Sequence, residues 1–191
     1  MKILRTRWFG LFGFFILASA TGLSSAPRAE AAQGGHTIGL MVGQVWPAGE
    51  IGKDVDAAVA PGLFYEYSAS DVFSLYASGI RSNHSEDNLK ITSTNVGIKA
   101  NLFYFDRLSP YALLGAGLYF VDKRFGNEVA SKTNFGIHLG LGAELDLSDH
   151  AFVGLEFDLH NLFTSRATLA QGKVDVSGRW TGFFLRGGYR F

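Results

Sequence analysis

The sequence contains no cysteine among its 191 residues. This absence excludes a disulfide framework, zinc-thiolate and iron–sulfur sites, a thiol nucleophile and an acylated N-terminal cysteine. Proline and methionine are also scarce, with 4 and 2 residues, whereas glycine (24) and phenylalanine (17) are abundant. A composition rich in glycine and aromatic residues favours β structure over helix.

The chain has no surplus of charge, because 17 Lys and Arg residues are balanced by 17 Asp and Glu residues. A nucleic-acid partner is therefore not expected, since such proteins normally carry a clear basic excess. The 47% of hydrophobic residues are spread along the chain, and no run approaches the ~20 residues that a membrane-spanning helix needs. No glycine-rich phosphate loop precedes a helical pattern, so we expect no nucleotide cofactor.

The N-terminal residues have the pattern of a secretory signal peptide. Basic residues precede the apolar stretch Trp8–Ala18, and the small-residue segment that follows ends in Ala29-Glu30-Ala31. An A-x-A site of this kind predicts cleavage after Ala31, with an earlier alternative at Ala18-Ser19-Ala20. We therefore predict a signal peptide at residues 1–31 and one domain at residues 32–191.

The rest of the chain repeats short segments in which apolar and polar residues alternate, which is the pattern of β-strands. In the clearest segment, apolar side chains occupy odd positions from Phe135 to Leu147, and Gly, His, Glu and Asp dominate the even positions. The eight predicted strands are His36–Trp46, Ala57–Tyr67, Val72–Arg81, Lys90–Tyr104, Tyr111–Val121, Asn134–Leu147, Ala151–Phe163 and Ser177–Phe191.

The segments between these strands alternate in length, which predicts an antiparallel up-and-down meander with short turns at one end. Transmembrane β-barrels have this asymmetry, with short periplasmic turns and longer external loops. The short connections are Ser68–Asp71, Phe105–Pro110 and Ser148–His150, and the long ones are Pro47–Asp56, Ser82–Leu89, Asp122–Thr133 and Thr164–Val176.

Alternation alone does not decide whether the apolar face of a barrel is inside or outside. The apolar row from Phe135 to Leu147 spans twelve residue steps, about 40 Å of strand at ~3.3 Å per residue. With a tilt of ~45°, this length gives roughly 28 Å of height, close to the ~25 Å apolar band of membrane barrels. We therefore predict an all-β fold, a transmembrane antiparallel up-and-down β-barrel of about eight strands.

The C-terminal segment resembles the last strand of bacterial outer-membrane proteins. A terminal aromatic residue, Phe191, follows Phe183, Leu185 and Tyr189 at alternate positions, although Gly187 interrupts the row. The resemblance is to the outer-membrane β-barrel family, which includes small barrels such as the OmpA transmembrane domain, OmpX and OmpW. It implies residence in the cell outer membrane among lipid and lipopolysaccharide, and insertion by the barrel-assembly machinery that reads these four residues.

Charged residues within the strands should face the lumen, because a Lys or Arg that faces lipid at mid-membrane costs about 2–4 kcal/mol. A tight turn at Ser148–His150 would pair the sixth and seventh strands so that Glu144, Glu156 and Asp158 each lie opposite a glycine. The space opposite these carboxylates could hold arginines of the last strand. We predict a lumen ion-pair network of Glu144, Glu156, Asp158, Arg186 and Arg190.

Two further patterns in the strands are weak indications of a metal site and of an enzyme. The same register places His138 opposite His160, but no third ligand is evident, so we expect no metal site. An eight-stranded lipid A deacylase has a Ser two residues after its His, whereas Asn161 and Leu162 follow His160 here. The missing nucleophile argues against a lipid-modifying enzyme.

Aromatic residues near the strand ends should form interfacial girdles, because Trp and Tyr favour the membrane–water boundary. We expect Trp46 and Trp180 at the outer rim. The periplasmic rim would take Tyr67, Tyr104, Tyr111, Tyr189 and Phe191.

An eight-stranded barrel has an interior just wide enough to be filled by side chains, so a plugged lumen is expected. The leading expectation is a monomeric, non-enzymatic barrel without cofactors that supports envelope integrity or surface contact. A narrow OmpW-like channel for small hydrophobic compounds and a lipid-modifying enzyme are the alternatives. The pattern names no ligand.

Overall fold

The computed structural model describes residues 35–85, 88–126, 128–163, 166–169 and 172–191. The predicted signal peptide, residues 1–31, lies outside the described residues. No helix with the length and apolar character needed to cross a membrane occurs in this part of the chain. The strands are β1 (His36–Ala48), β2 (Ala58–Ser68), β3 (Phe73–His84), β4 (Leu89–Asn101), β5 (Leu108–Phe125), β6 (Glu128–Asp146), β7 (Ala151–Leu162), β8 (Arg166–Leu169), β9 (Gly172–Asp175) and β10 (Gly178–Arg190).

Eight of these strands, β1–β7 and β10, form a closed barrel in which each strand pairs antiparallel with its neighbours. The barrel closes through β1 and β10, where Thr37 lies opposite Arg190 and Ala48 opposite Arg179. Following paired residues from Thr37 around the barrel leads back to Pro47, ten positions further along β1. This offset tilts the strands relative to the barrel axis. The predicted antiparallel up-and-down barrel is confirmed.

Side chains alternate between the lumen and the outer surface along every barrel strand. On β6 the apolar residues point outward, with Phe135 53%, Leu139 51% and Leu141 60% exposed. Between them, residues such as His138 and Glu144 are buried in the lumen, at 2% and 3% exposed. The barrel therefore has an apolar outside and encloses both charged and apolar side chains, whereas a soluble barrel turns its apolar face inward.

The connections between strands differ at the two ends of the barrel. At one end, residues 69–72 and 147–150 form turns, and Arg190 N donates to the His150 carbonyl at 2.7 Å. At the other end, the β1–β2 loop spans residues 49–57, and the chain between β7 and β10 contains the separate β8–β9 hairpin. Transmembrane β-barrels place their short turns in the periplasm.

Two predicted loops are wrong. The expected loop Asp122–Thr133 is mostly strand, because β5 and β6 stay paired as far as Phe125 and Glu128. Gly126 takes the left-handed conformation that a tight hairpin turn requires, with φ of 61°. The expected loop Thr164–Val176 contains the β8–β9 hairpin. Both segments lie beyond the apolar belt, where polar side chains can occupy both faces of a strand.

Candidate functional site

Arg186 on β10 is the centre of an ion-pair network in the lumen. Its side chain is 0% exposed. Nη1 donates to Glu156 Oε2 at 2.5 Å and to the Tyr111 hydroxyl at 2.8 Å, and Nη2 donates to Glu66. The guanidinium carbon also lies 3.9 Å from the centroid of the Phe64 ring, which it can engage by a cation–π contact. Residues of β2, β5 and β7 thus surround the buried charge that Arg186 carries on β10.

Lys99 on β4 is the second cation of this network. Its Nζ donates to Glu66 Oε2 at 2.9 Å and to Glu144 Oε1 at 2.5 Å. The same nitrogen lies 4.6 Å from the centroid of the Tyr111 ring. Glu66 also binds Arg186, and Glu144 Oε1 lies 3.7 Å from Arg186 Nη2, so the two cations share two carboxylates and form a continuous network.

Arg190 extends the network towards the end of the barrel where both termini of the domain lie. Its Nη2 donates to Glu144 Oε2 at 3.1 Å and its Nη1 to Asp146 Oδ1 at 2.5 Å. The Arg190 side chain is 24% exposed, compared with 0% for Arg186. The interaction is therefore partly screened by solvent, whereas the pairs around Arg186 are not.

The structure brings together four of the five residues of the predicted network, Glu144, Glu156, Arg186 and Arg190. Asp158 forms no arginine pair among the described residues; its Oδ2 lies 3.8 Å from His160 Nε2. Lys99 and Glu66 obey the prediction that charged strand residues face the lumen, at 3% and 4% exposed, but the predicted network did not include them. The alternation of apolar and polar residues indicates that these side chains point inward. No local pattern indicates which inward side chains meet across the lumen.

The predicted register of β6 and β7 is confirmed. Glu144 lies opposite Gly154, Glu156 opposite Gly142, and Asp158 opposite Gly140. A Cβ atom at Gly154 would lie 3.3 Å from Arg186 Cγ. The missing glycine side chain therefore leaves the space through which the arginine reaches the carboxylates.

A ring cluster lies beside the ion pairs. His138 faces His160, with ring centroids 5.2 Å apart, and His160 stacks on Trp180 at 3.5 Å. The Tyr119 hydroxyl is hydrogen-bonded to His160 Nδ1 at 2.7 Å. Across the described residues, no three His, Asp or Glu side chains form a set that could hold a metal.

Two of the aromatic residues expected at the rims are instead in the lumen. Trp180 is 2% exposed and Tyr111 is 1% exposed. On β10, Phe183 and Leu185 point outward, so even-numbered residues such as Trp180 must point inward. Strict alternation along β10 and β5 predicts this inward orientation, whereas the rim preference of tryptophan and tyrosine predicts the opposite.

The rest of the lumen towards the long loops is filled mainly by apolar side chains, with a smaller polar group that includes Ser93 and Asn95. The β1–β2 loop turns inward there: Ile51 is 0% exposed, and its N–H donates to the Ser177 carbonyl at 3.2 Å. The same loop is bound to β3, because His84 Nδ1 donates to the Asp56 carbonyl at 2.9 Å. The apolar residues that fill this half include Met41, Val45, Ala60, Ile80, Leu89, Ile91, Val121 and Leu162. The described lumen is therefore closed by ion pairs at one end and by an apolar plug at the other.

The four residues of the predicted assembly signal lie on the outer face of β10 and just beyond it. Phe183, Leu185, Tyr189 and Phe191 are 45%, 55%, 48% and 71% exposed. Phe191 N donates to the His36 carbonyl at 2.8 Å, which ties the end of the chain to β1. The aromatic ring of Phe191 contributes nothing to the packed lumen, so any requirement for it would arise during assembly.

We expect Phe191→Ala to slow insertion by the barrel-assembly machinery more than it slows spontaneous refolding, because the ring lies outside the packed lumen and its loss removes only contact with lipid or detergent. Insertion into vesicles that carry the machinery, compared with spontaneous refolding into detergent, measures the two effects separately. Phe73→Ala is the control, because Phe73 is also exposed (53%) and lies at the same end of the barrel. Equal insertion rates for both variants would contradict the prediction.

Comparisons with known proteins agree with this architecture. The model of the family described as "Outer membrane protein beta-barrel domain" matches residues 15–191. Neisserial surface protein A has a similar structure, with a TM-score of 0.63 at 12% identity, covering 82% of this chain and 97% of that chain. OprG from Pseudomonas aeruginosa gives 0.61 at 16% identity, covering 85% and 98%. Ail, the attachment invasion locus protein of Yersinia pestis, gives 0.57 at 18% identity, covering 83% and 99%.

Among curated proteins, no sequence matches this chain. Similarity to solved structures at 12–18% identity shows a common fold. The role of the chain must therefore be argued from its own lumen and surfaces.

Proposed function

The chain belongs to the outer membrane protein β-barrel domain family, and on that premise we propose that it is a closed, non-enzymatic barrel that supports envelope integrity or surface contact. It is an outer-membrane protein with an apolar surface towards lipid. The long-loop end, which carries the β8–β9 hairpin and the extended β5–β6 hairpin, faces outward if the chain follows the arrangement of its family.

The observation that carries this proposal is the filled lumen. The pairs of Arg186 with Glu66 and Glu156 cross the interior from three strands. Beyond them, Phe64, Phe184 and Val45 are 0–1% exposed. A solute would have to displace both the ion pairs and the packed apolar side chains, so the resting barrel should not conduct.

We expect the wild-type barrel to show no steady single-channel conductance in planar bilayers. Heat-modifiable gel mobility and protease protection of the same preparation establish that the protein has inserted, so that a silent bilayer is informative. Stable openings of uniform size from inserted, folded protein would refute the closed barrel. Addition of the protein in both orientations controls for a gate that responds to one side.

A narrow channel for small hydrophobic compounds is a second candidate, and the apolar outer half of the lumen favours it. Met41, Val45 and Ile91 would line such a path if the β1–β2 loop moved and withdrew Ile51 from the lumen. Uptake of a fluorescent hydrophobic solute into proteoliposomes tests this function, with a cross-link that holds the loop closed as the control.

A lipid-modifying function has less support in the geometry. His160 is 2% exposed, lies under the Trp180 ring and faces the lumen rather than the lipid. An acyl chain in the surrounding membrane could not reach its imidazole without opening the barrel. Mass spectrometry of lipid A from cells with and without the protein is expected to show no difference.

A further inference from the structure

The lipid-facing surface of β3 and β4 contains a patch that differs from the rest of the belt. Gly79 and Arg81 on β3 lie opposite Thr94 and Thr92 on β4. Arg81 and both threonines are exposed on the outside of the barrel. We call these four residues the polar facet.

Large apolar residues point outward from most other strands in this half of the belt, although Gln44 on β1 is also outward and exposed. Leu118, Ile137, Leu159 and Phe183 are 40–46% exposed and point towards lipid. A Cβ atom at Gly79 would have its nearest neighbour, the Ser93 carbonyl oxygen, at 3.9 Å. The facet is therefore a shallow depression that combines hydroxyl groups with a cation, beside large apolar neighbours.

Arg81 lies within this belt and not above it. Thr92, its partner on β4, is in turn paired with Phe120, an exposed aromatic residue of the outer rim on β5. Paired residues followed once around the eight strands end ten residues nearer the long loops, a shift of about 1.25 residues per strand. Phe120 is two strands further along this path than Arg81. Arg81 therefore lies about 2.5 residues closer to the membrane centre than Phe120. At ~3.3 Å per residue and a strand tilt of ~40°, this places it about 6 Å below the rim.

The guanidinium of Arg81 has no ion pair or hydrogen bond to any other described residue. A cation that faces lipid is unfavourable unless it meets an anion, and phosphate is a good bidentate partner for arginine. On the described outer surface, it is the one charged side chain between the outer aromatic rim and the short turns. Lys90, the next outward residue of β4 towards the long loops, differs from Arg81 because it lies opposite an acidic residue, Asp122.

We propose that the polar facet binds one phosphorylated glycolipid of the outer leaflet, with the phosphate on Arg81. The Thr92 and Thr94 hydroxyls face the same side and can bond to sugar hydroxyls, and an acyl chain fits over Gly79 between Leu75 and Val96. The long-loop end faces outward by the family's topology, so this half of the belt meets the leaflet that contains lipopolysaccharide. The proposal depends on this orientation and not on whether the lumen conducts.

The test measures retention of bis-phosphorylated lipid A by the purified barrel in zwitterionic detergent, by native mass spectrometry across a titration. We expect Arg81→Gln to weaken binding about tenfold, the loss expected for one charge-assisted bidentate contact, and Arg81→Lys to restore part of it. Arg124→Gln is the control, because Arg124 lies on β5 four positions beyond Phe120 and outside the belt.

A second pair of variants tests the shape of the facet without changing charge. Gly79→Leu should fill the depression and also reduce binding. Gly187→Leu, at an outward position of β10 whose nearest neighbour is the Phe152 carbonyl at 3.6 Å, should leave binding unchanged. Retained heat-modifiable mobility shows that each variant is folded.

Two alternative occupants give distinct results. If phosphatidylglycerol binds as tightly as lipid A, the facet recognises phosphate alone and the glycolipid assignment is wrong. If cross-linking through the facet yields a dimer that persists in Arg81→Gln, the surface is a contact between copies and the proposal is overturned. Equal lipid A binding by wild type and Arg81→Gln would overturn it as well.

Discussion

Replacing Arg186 with methionine is expected to destabilise the barrel by about 3–5 kcal/mol, the cost of removing one partner from a buried ion pair. Methionine is close in length but leaves Glu156 without its cation and Glu66 with Lys99 alone, although both carboxylates are at most 4% exposed. Urea unfolding of the protein in micelles or vesicles, followed by tryptophan fluorescence, measures the change. Trp180 in the lumen provides the signal.

Two other variants show whether this loss comes from the buried charge. Arg190→Met should cost about 1 kcal/mol, because the Arg190 side chain is 24% exposed and its pairs are screened. Arg186→Met combined with Glu156→Gln should recover part of the loss, since one unpaired carboxylate is removed. An Arg186→Met barrel as stable as wild type would show that the network contributes no net stability.

Substitution of Gly142 by alanine is expected to cost about 1–3 kcal/mol, the usual range for overpacking a tight interior. The new Cβ would lie 2.6 Å from the Leu155 carbonyl oxygen and against the ring of Tyr111. The backbone atom is fixed by the strand pairing, and Tyr111 is held by hydrogen bonds to Glu156 and Arg186. Neither can move without breaking other contacts. Unfolding in urea again provides the measurement.

Gly187→Ala is the matched control for this prediction. It lies on β10 and points outward, where the nearest atom to a new Cβ, the Phe152 carbonyl oxygen, is at an ordinary 3.6 Å. Its stability should stay within about 0.5 kcal/mol of wild type. If Gly142→Ala were equally neutral, the close packing of glycine and Tyr111 would not limit the barrel.

Local alternation was a sound guide to the orientation of side chains. The register of β6 and β7 followed from one tight turn, since a hairpin leaves little choice of pairing once the turn length is known. It placed His138 opposite His160 and Glu156 opposite Gly142. The preference of Trp and Tyr for the membrane boundary is a weaker guide, because Trp180 and Tyr111 lie in the lumen.

The limits of the strands were harder to predict where the membrane no longer constrains the sequence. β5 and β6 extend to Phe125 and Glu128, through residues with no apolar alternation. In lipid, an unpaired backbone group is costly and the outward face must be apolar. Above the membrane, hydrogen bonding between neighbouring strands is sufficient, so polar residues such as Asp122 and Lys132 are tolerated in the hairpin.

The sequence by itself determined that the chain forms about eight alternating strands with apolar residues outward, because the pleat makes successive side chains point to opposite faces. Which inward residues meet was decided by the tertiary structure alone. Glu66 and Arg186 are 120 residues apart in sequence, and Lys99 reaches Glu144 from a strand two places away in the barrel. Closure with a ten-residue offset brings these groups together across the lumen, and no local pattern encodes that offset.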